Sequence, residues 1–405
     1  MSWQEVSLGD AIHIKHGFAF KSQYFSEAGK YIVLTPGNFH EQGGFRSRPG
    51  KDRFYQGEIP DEYVLSEGDV IVAMTEQGEG LLGSSAWIPK SDVYLHNQRL
   101  GLVDEVDGNL LDRKFLYHLF NTRPVRQQIY GSATGTKVRH TAPVRIYRVK
   151  VKIPPISQQK RIAEIIDGYD DLMENNQRRI QLLEESAQLL YKEWFVHLRF
   201  PGHEHVKVTN GVPEGWEQMR ASDCMEILSG GTPKTTVEAY WGGDIPFFTP
   251  KDSVDSCYAG NTAKKLTETG LASCNSRLYP KDTVFVTARG TVGKVNLAQV
   301  PMAMNQSCYA LVAKPPVDQY FLYFSLVYGV DQLRSRAVGA VFDAIVRDTF
   351  KQIPFVVPDD KILKAFLEHL SPIIQQIDAL STQSRSLAKA RDLLLPKLMS
   401  GELAA

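Results

Sequence analysis

Two stretches of this chain repeat apolar residues every seven positions over many turns, and that pattern leaves few folds open. After Pro154-Pro155, one row is Ile162, Tyr169, Asn176, Leu183 and Leu190, and a second, four residues on each time, is Ile166, Met173, Ile180, Ala187 and Trp194. Such rows are the two seam positions of paired helices. Ser157 is placed to cap the start, and Pro201-Gly202 to stop the helix. About 40 residues at 1.5 Å each make a rod on the order of 60 Å long. The second stretch, Asp359 to Leu403, sets Leu363, Leu370, Ile377, Ser384 and Leu398 in one row, broken by Arg391. Phe366, Ile373, Leu380, Leu387 and Leu394 make the other. Amphipathic rods are unstable alone, so the two are expected to pair. Asn176 and Ser384 are wet seam positions, of the kind that fix register. Pro372 predicts a kink and Pro396 a helix end, because proline removes a backbone donor and clashes with the preceding turn.

A globular segment precedes each rod, and the two segments are weakly alike. Trp3, Asp10, Ile14 and Gly17 meet Trp216, Asp223, Ile227 and Gly230. Thr35-Pro36 meets Thr249-Pro250, and the run ending at Met74 meets the run ending at Thr287. Asn97-Gln98 meets Asn305-Gln306, Phe115 meets Phe321, and Ile153-Pro154 meets Val357-Pro358. The offset drifts from 213 to 204, as loop insertions would make it. Val70 to Ala73, Val284 to Val286, Leu100 to Val103 and Ala310 to Ala313 read as strands; Phe115 to Phe120 and Tyr320 to Leu326 read as short helices. The expectation is a mixed α/β fold: two similar globular domains, residues 1–155 and 201–357, and two long helices, 156–200 and 358–405, forming an antiparallel coiled-coil pair with an internal pseudo-two-fold repeat.

Lys plus Arg equal Asp plus Glu at 46 each, so the sum argues against a generic nucleic-acid binder. The distribution matters more. Arg113 to Lys152 holds ten Lys and Arg and no acid, whereas Val317 to Lys351 is mixed. The first residues lack the basic and apolar regions of a signal peptide. The most apolar run, Tyr320 to Val330, is far short of the roughly 20 residues of a membrane span. A cytoplasmic protein is expected. Cys224, Cys257, Cys274 and Cys308 form no CxxC pair, which argues for buried thiols over zinc.

Gly78 to Gly83 fits GxGxxG, but Ser84 to Pro89 would make a poor helix, so a loop is the better reading than a dinucleotide site. Asp61 and Asp112 are separated as no metal-nuclease pair usually is; Asp112 opens a helix. The better signals lie in loops. Gly131 to His140 is small and basic, and offers Thr136, Lys137, Arg139 and His140 to a groove. Asn97-Gln98-Arg99 and Asn305-Gln306 suit amide readout of a base, or else form structural turns. Gly230 to Lys234, with Thr232 and Lys234, reads as a tight turn or a phosphate nest.

The layout resembles the DNA-specificity subunit of type I restriction–modification systems, over essentially the full length. The residues that carry the likeness are Gly17-Phe18-Ala19-Phe20-Lys21-Ser22, Gly230-Gly231-Thr232-Pro233-Lys234, the junction Ile153 to Lys160, and the two helix ends, Leu190 to Phe195 and Arg391 to Glu402. The resemblance implies two target-recognition domains held apart by an antiparallel helix pair. It implies a non-catalytic chain that binds no cofactor itself, with S-adenosylmethionine, ATP and magnesium on partner methylation and restriction subunits. The target would be an asymmetric, bipartite stretch of double-stranded DNA with an unread spacer. DNA contacts are expected from Lys21, Asn97, Gln98, Arg99, Thr136, Lys137, Arg139 and His140, and from Thr232, Lys234, Thr287, Arg289, Asn305, Gln306, Arg334 and Arg336. Tyr191, Trp194, Phe195, Leu394 and Leu398 are expected to hold the methylation subunits. The rivals are a single-chain nuclease using Asp61 and Asp112, and a protein-only assembly adaptor.

Overall fold

The computed structural model describes residues 3–76, 80–136, 138–336, 345–350 and 355–405, with the side chains of 331–336 and of Thr349 outside that description. Two compact units emerge: residues 1–172 with 387–405, and residues 173–386. Each contains a stretch of both long helices.

In the first unit the strands are β1 (Gln4–Ser7), β2 (Ile12–His16), β3 (Tyr31–Val33), β4 (Val70–Ala73), β5 (Ser85–Trp87), β6 (Tyr94–Leu95) and β7 (Leu100–Val106). Helices α1 (Arg113–Phe120) and α2 (Arg123–Ser132) come next, then β8 (Lys150–Ile153) and the first long helix, α3 (Ile156–Tyr191). The main sheet is antiparallel in the order β2-β7-β4-β5. β1 pairs with β8, which returns the chain to the root of α3. Val70, Val72, Val103, Phe115, Leu116 and Ile129 form the core, and Ile162, Ile166, Leu398 and Met399 of the long helices close it.

The second unit repeats the plan. Its strands are β9 (Glu217–Met219), β10 (Met225–Ser229), β11 (Trp241–Phe248), β12 (Val284–Thr287), β13 (Val295–Ala298), β14 (Ala303–Met304) and β15 (Cys308–Ala313). Then come α4 (Gln319–Arg336), β16 (Phe355–Val357) and the second long helix, α5 (Asp360–Ser400). The sheet order is β10-β15-β12-β13, extended by Tyr258–Ala259. β9 pairs with β16 as β1 does with β8. Asp112 caps α1 by accepting from the amides of Lys114 and Phe115; Asp318 accepts from Tyr320 and Phe321 at α4. The internal repeat is therefore structural. One detail of it moves: Val70 faces Val103, and Val284 faces Leu311, so Val70 corresponds to Val284 and not to Thr283. A one-residue slip reverses which face each side chain takes. Val284 and Val286 face the core that contains Phe321, as Val70 and Val72 face the one that contains Phe115, while Phe285 and Ile71 face the other way.

The long helices pair antiparallel within each unit. In the first, Arg391 on α5 meets Asp170 on α3 at 2.5 Å. In the second, the buried Asn176 amide donates to Gln383 Oε1 (3.1 Å) and Ser384 Oγ (3.3 Å), while Tyr191 and Trp194 pack on Phe366. The two wet seam positions thus satisfy each other. Arg391, which broke the row, is paired with Asp170 and Asp392; burial pulls its pKa down, and those hydrogen bonds more than restore it.

Several sequence expectations change. Ser157 is exposed inside the first turn of α3 and does not cap it. The buried Gln159 fixes that end, accepting from the Asp112 amide and donating to the carbonyls of Leu110 and Pro154. α3 ends at Tyr191 in a wider turn, Lys192–Val196, before Pro201 is reached. α5 runs through both prolines to Ser400 and stops at Gly401, whose φ of 77° suits glycine. Pro372 and Pro396 lie on the exposed side, where water can take the freed carbonyls, and buried Leu370, Ile374, Leu398 and Met399 hold the helix on either side.

A double-mutant cycle on Asn176→Ala and Ser384→Ala should give a coupling of about 0.5–1.5 kcal/mol in urea unfolding. Strictly additive losses would mean that the amide and hydroxyl do not act together.

Candidate nucleic-acid interface

Both units build the same turn between a short strand and the central strand of the sheet. In the first it is His96 to Arg99, between β6 and β7. Asn97 Oδ1 accepts from the Arg99 amide at 3.0 Å. In the second, Asn305 Oδ1 accepts from the Ser307 amide at 3.0 Å. A glycine lies against each turn: Gly17 has no room for a Cβ beside the Asn97 carbonyl, nor Gly230 beside those of Met304 and Asn305. The asparagines are therefore the structural half of each motif. They lock the turn, and Gln98, Arg99 and Gln306 are left exposed.

The first turn gathers other residues. The Met74 amide donates to the Arg99 carbonyl, which brings Thr75 alongside. Arg139–His140 pairs with Thr75–Glu76, and His140 Nδ1 lies 3.0 Å from Thr75 Oγ1. The Arg139 guanidinium stacks 4.0 Å over Tyr130. Thr134 and His140 exchange both backbone hydrogen bonds, so the described part of the Gly131 to His140 segment is a paired hairpin, with Thr136 exposed. Lys137 lies outside the described residues. Lys21 is exposed ahead of the turn Ser22–Tyr24, three residues past Phe18, whose backbone pairs with the Asn97 turn. In the second unit, the Ala288 amide donates to Ser307, which places exposed Arg289 next to the Asn305 turn. Thr232 Oγ1 donates to Gln306 Oε1. Lys234 is exposed, and its carbonyl accepts from Trp241 Nε1. Arg334 and Arg336 are in α4, with side chains outside the described residues.

Some candidates do not survive. Thr287 is fully buried and its hydroxyl is bound in the turn to Thr291 and Lys294, so it faces no groove. Tyr191, Trp194 and Leu398 are buried in this chain's own cores, and Phe195 packs on Trp216, Phe321 and Phe366, so these side chains cannot also form an outer docking face. Leu394 is partly buried against the first core. Half of the ten basic residues from Arg113 to Lys152 are bonded within the fold. Arg126 donates to the carbonyls of Leu82, Glu41 and Gly80; Arg113 and Arg145 donate to carbonyls; Lys114 pairs with Asp167 and Lys150 with Glu5. Linear charge density misled because a cation's partner can be a backbone oxygen. The sequence reading missed Arg48, Lys51 and Arg53, which line a cleft of about 430 Å³ with Thr35, Asn38, Thr75 and Arg99.

The Gly80 to Gly83 loop and Asp112 both have structural roles. Glu76 Oε2 already accepts from the amides of Leu81 and Leu82, and the strand β5 comes next, so the Gly80 to Gly83 loop offers a pyrophosphate no helix. Residues 77–79 of that motif lie outside the described residues. Asp112 is occupied as a cap. Among the described residues no three His, Cys, Asp or Glu side chains are placed to hold a metal, and no helix is long and apolar enough to cross a membrane. Burial pushes the thiols of Cys224 and Cys308 up to about 11 and about 12.

The two units are thus copies of one α/β plan, each rooted in a helix pair and presenting an amide-bearing turn. The profile of the type I restriction modification DNA specificity domain matches residues 1–185 and 213–389, and this chain belongs to that family, whose members are non-catalytic recognition subunits. It is 24% identical to the HindI specificity subunit of Haemophilus influenzae over 99% of both chains. It is 24% identical to the MjaIX specificity subunit of Methanocaldococcus jannaschii over 72% of this chain and 69% of that one. The crystal structure of a type I S subunit from M. genitalium shares the fold, with a TM-score of 0.59 at 15% identity, covering 98% of this chain and 96% of that one.

His96 supplies a pH prediction. It is fully buried, with Nε2 2.9 Å from the Leu100 carbonyl and, among the described residues, no partner for Nδ1. Burial lowers its pKa to about 4, against an opposing pull from the Leu100 hydrogen bond. The unfolded chain therefore gains a proton near pH 6.5 that the folded chain refuses until about pH 4. Stability should fall across that window as pH drops, by about 3 kcal/mol at most. His96→Met, the residue found at the corresponding position Met304, should remove this part of the slope in pH-dependent urea unfolding. An unchanged slope would assign it to other groups.

Proposed function

We infer that this chain reads a split DNA target, each unit supplying one half through its Asn–Gln turn. The observation that carries this is the duplication of one turn with different neighbours. Gln98 stands beside Arg99 and the Thr75–His140 pair, whereas Gln306 stands beside Arg289 and Thr232. A glutamine amide can pair bidentately with adenine in the major groove, and arginine with guanine. Different neighbours read different bases, so the two halves of the target differ. Lys21, Lys137, Arg139, Lys234, Arg334 and Arg336 are assigned to phosphates and groove edges. The helix pair α3 and α5 sets the unread gap, since half-sites one turn apart are about 34–36 Å centre to centre.

The chain also scaffolds the enzyme subunits. Two methylation subunits, carrying S-adenosylmethionine, dock on the helices, and motor–nuclease subunits bring ATP and magnesium. Exposed Leu182 and Leu189, seven residues apart on one face of α3, replace Tyr191 and Trp194 as the contacts for one of them. Cleavage by this chain alone is disfavoured by the cap role of Asp112.

Footprinting of the assembled complex tests the reading. Two short protected blocks of different sequence, separated by an unprotected gap, are expected. Gln98→Ala should relax base preference in one block only, by about 1–3 kcal/mol at one position. A single continuous block would reject the split reading, and no protection at all would favour a protein-only adaptor.

A further inference from the structure

The cleft beside the first turn holds charges that the fold does not use. Arg48, Lys51, Arg53 and Arg99 line it with one carboxylate, Asp52. Among the described residues, the side chains of Arg48, Lys51 and Arg99 make no hydrogen bond or ion pair, and Arg53 only lies 6.0 Å over the Phe25 ring. This contrasts with Arg126, Arg145 and Lys114, which are bonded internally. Arg48 is half-buried with its guanidinium against Gly37, where a Cβ would collide with it. The Thr35–Asn38 turn that forms the cleft wall is fixed by Asn38 Oδ1, which accepts from the Thr35 amide at 3.0 Å and from its hydroxyl at 3.1 Å. Four like charges around one cleft repel, and an anion seated there relieves the repulsion.

The second unit builds the same turn with a different charge pattern, Lys251 standing where Gly37 does. Asp252 takes the place of Asn38, accepting from the Thr249 amide and hydroxyl with one oxygen and from the Ala263 amide with the other. Asp255 pairs with Lys294 close by in sequence.

We propose that the Arg48–Arg53 loop forms a phosphodiester clamp on the DNA backbone, beside the base-reading turn of the first unit. This rests on the DNA-reading function inferred above and deepens it. The clamp contributes affinity and register without reading bases, and it adds to the salt dependence of binding. The side chains reach phosphates of the strand whose bases face Gln98 and Arg99.

The test uses the full chain assembled with its methylation subunits, with DNA affinity measured from about 50 to 200 mM salt. Arg48→Gln, Lys51→Gln and Arg53→Gln together should lower the slope of log affinity against log salt by about 1 per residue, and weaken specific and non-specific DNA alike. The methylated motif should stay the same. Charge-keeping Arg48→Lys with Arg53→Lys should restore most of the slope. Lys51→Gln alone, at an exposed position, should lower the slope by about 1 and guards against misfolding of the triple variant. An unchanged slope, or a changed motif, overturns the clamp even where the wild-type complex protects two blocks. If the wild-type complex protects no DNA, it is the DNA-reading function that fails.

Discussion

One buried amide sits where the two long helices would otherwise be interchangeable greased surfaces. Asn176 is 4% exposed in an apolar seam, and it has to meet Gln383 and Ser384 or be left unsatisfied. An unpaired amide there costs about 1–3 kcal/mol, so a seven-residue slip of either helix is penalised while the leucine rows alone would tolerate it. Arg391 with Asp170 adds a second such point in the first unit. The seating of each globular part on its helices depends on this register. Lys114 and His118 of α1 grip Asp167 on α3, Glu184 accepts from the Ser256 hydroxyl and the Cys257 amide, and Lys281 and Gln299 reach Asp378 on α5. Each globular part is thus tied to its helices by polar contacts as well as by its core.

Much of this was legible in the sequence, because long periods and repeats average over local noise. The seam rows are inward in the structure, and the strands at Val70 and Val284 start where the alternation predicts. Single positions were less legible. Pro372 and Pro396 do not end α5, because a helix with one side in water tolerates free carbonyls there. Trp194 reads as a docking residue by its size, but its burial against Phe366 is set by chain segments 172 residues apart. The free cations were the hardest to find. Arg113, Arg126 and Arg145 of the later basic run bond to the fold's own carbonyls, while Arg46, Arg48, Lys51 and Arg53 fall within eight residues and went unremarked because Asp52 interrupts them; only Arg99, which shares their cleft, is distant in sequence. The Asn–Gln motif was legible in part: its asparagine is structural, and only its glutamine is available to a ligand.

The two units share a scaffold and differ in what they display. Gln98 and Gln306 occupy the same place on the same sheet, yet an arginine comes after one and a serine after the other, and the adjoining turn carries Asn38 in one and Asp252 in the other. Such a division suits a recognition subunit. The sheet and its helix root preserve where a turn is held, and surface residues alone set what the turn contacts. A change of preference in one half then leaves the other half and the helix pair untouched.

The central claim is that the helix pair measures the distance between the two halves of the target. It is tested by inserting one heptad into each long helix, at the level of Asn176 and of Ser384, and mapping the methylated motif in DNA. Seven residues add about 10 Å of helix, close to three base pairs. The account predicts the same two half-sites with a gap about three base pairs longer. An active complex that methylates the original motif with its gap unchanged would contradict it.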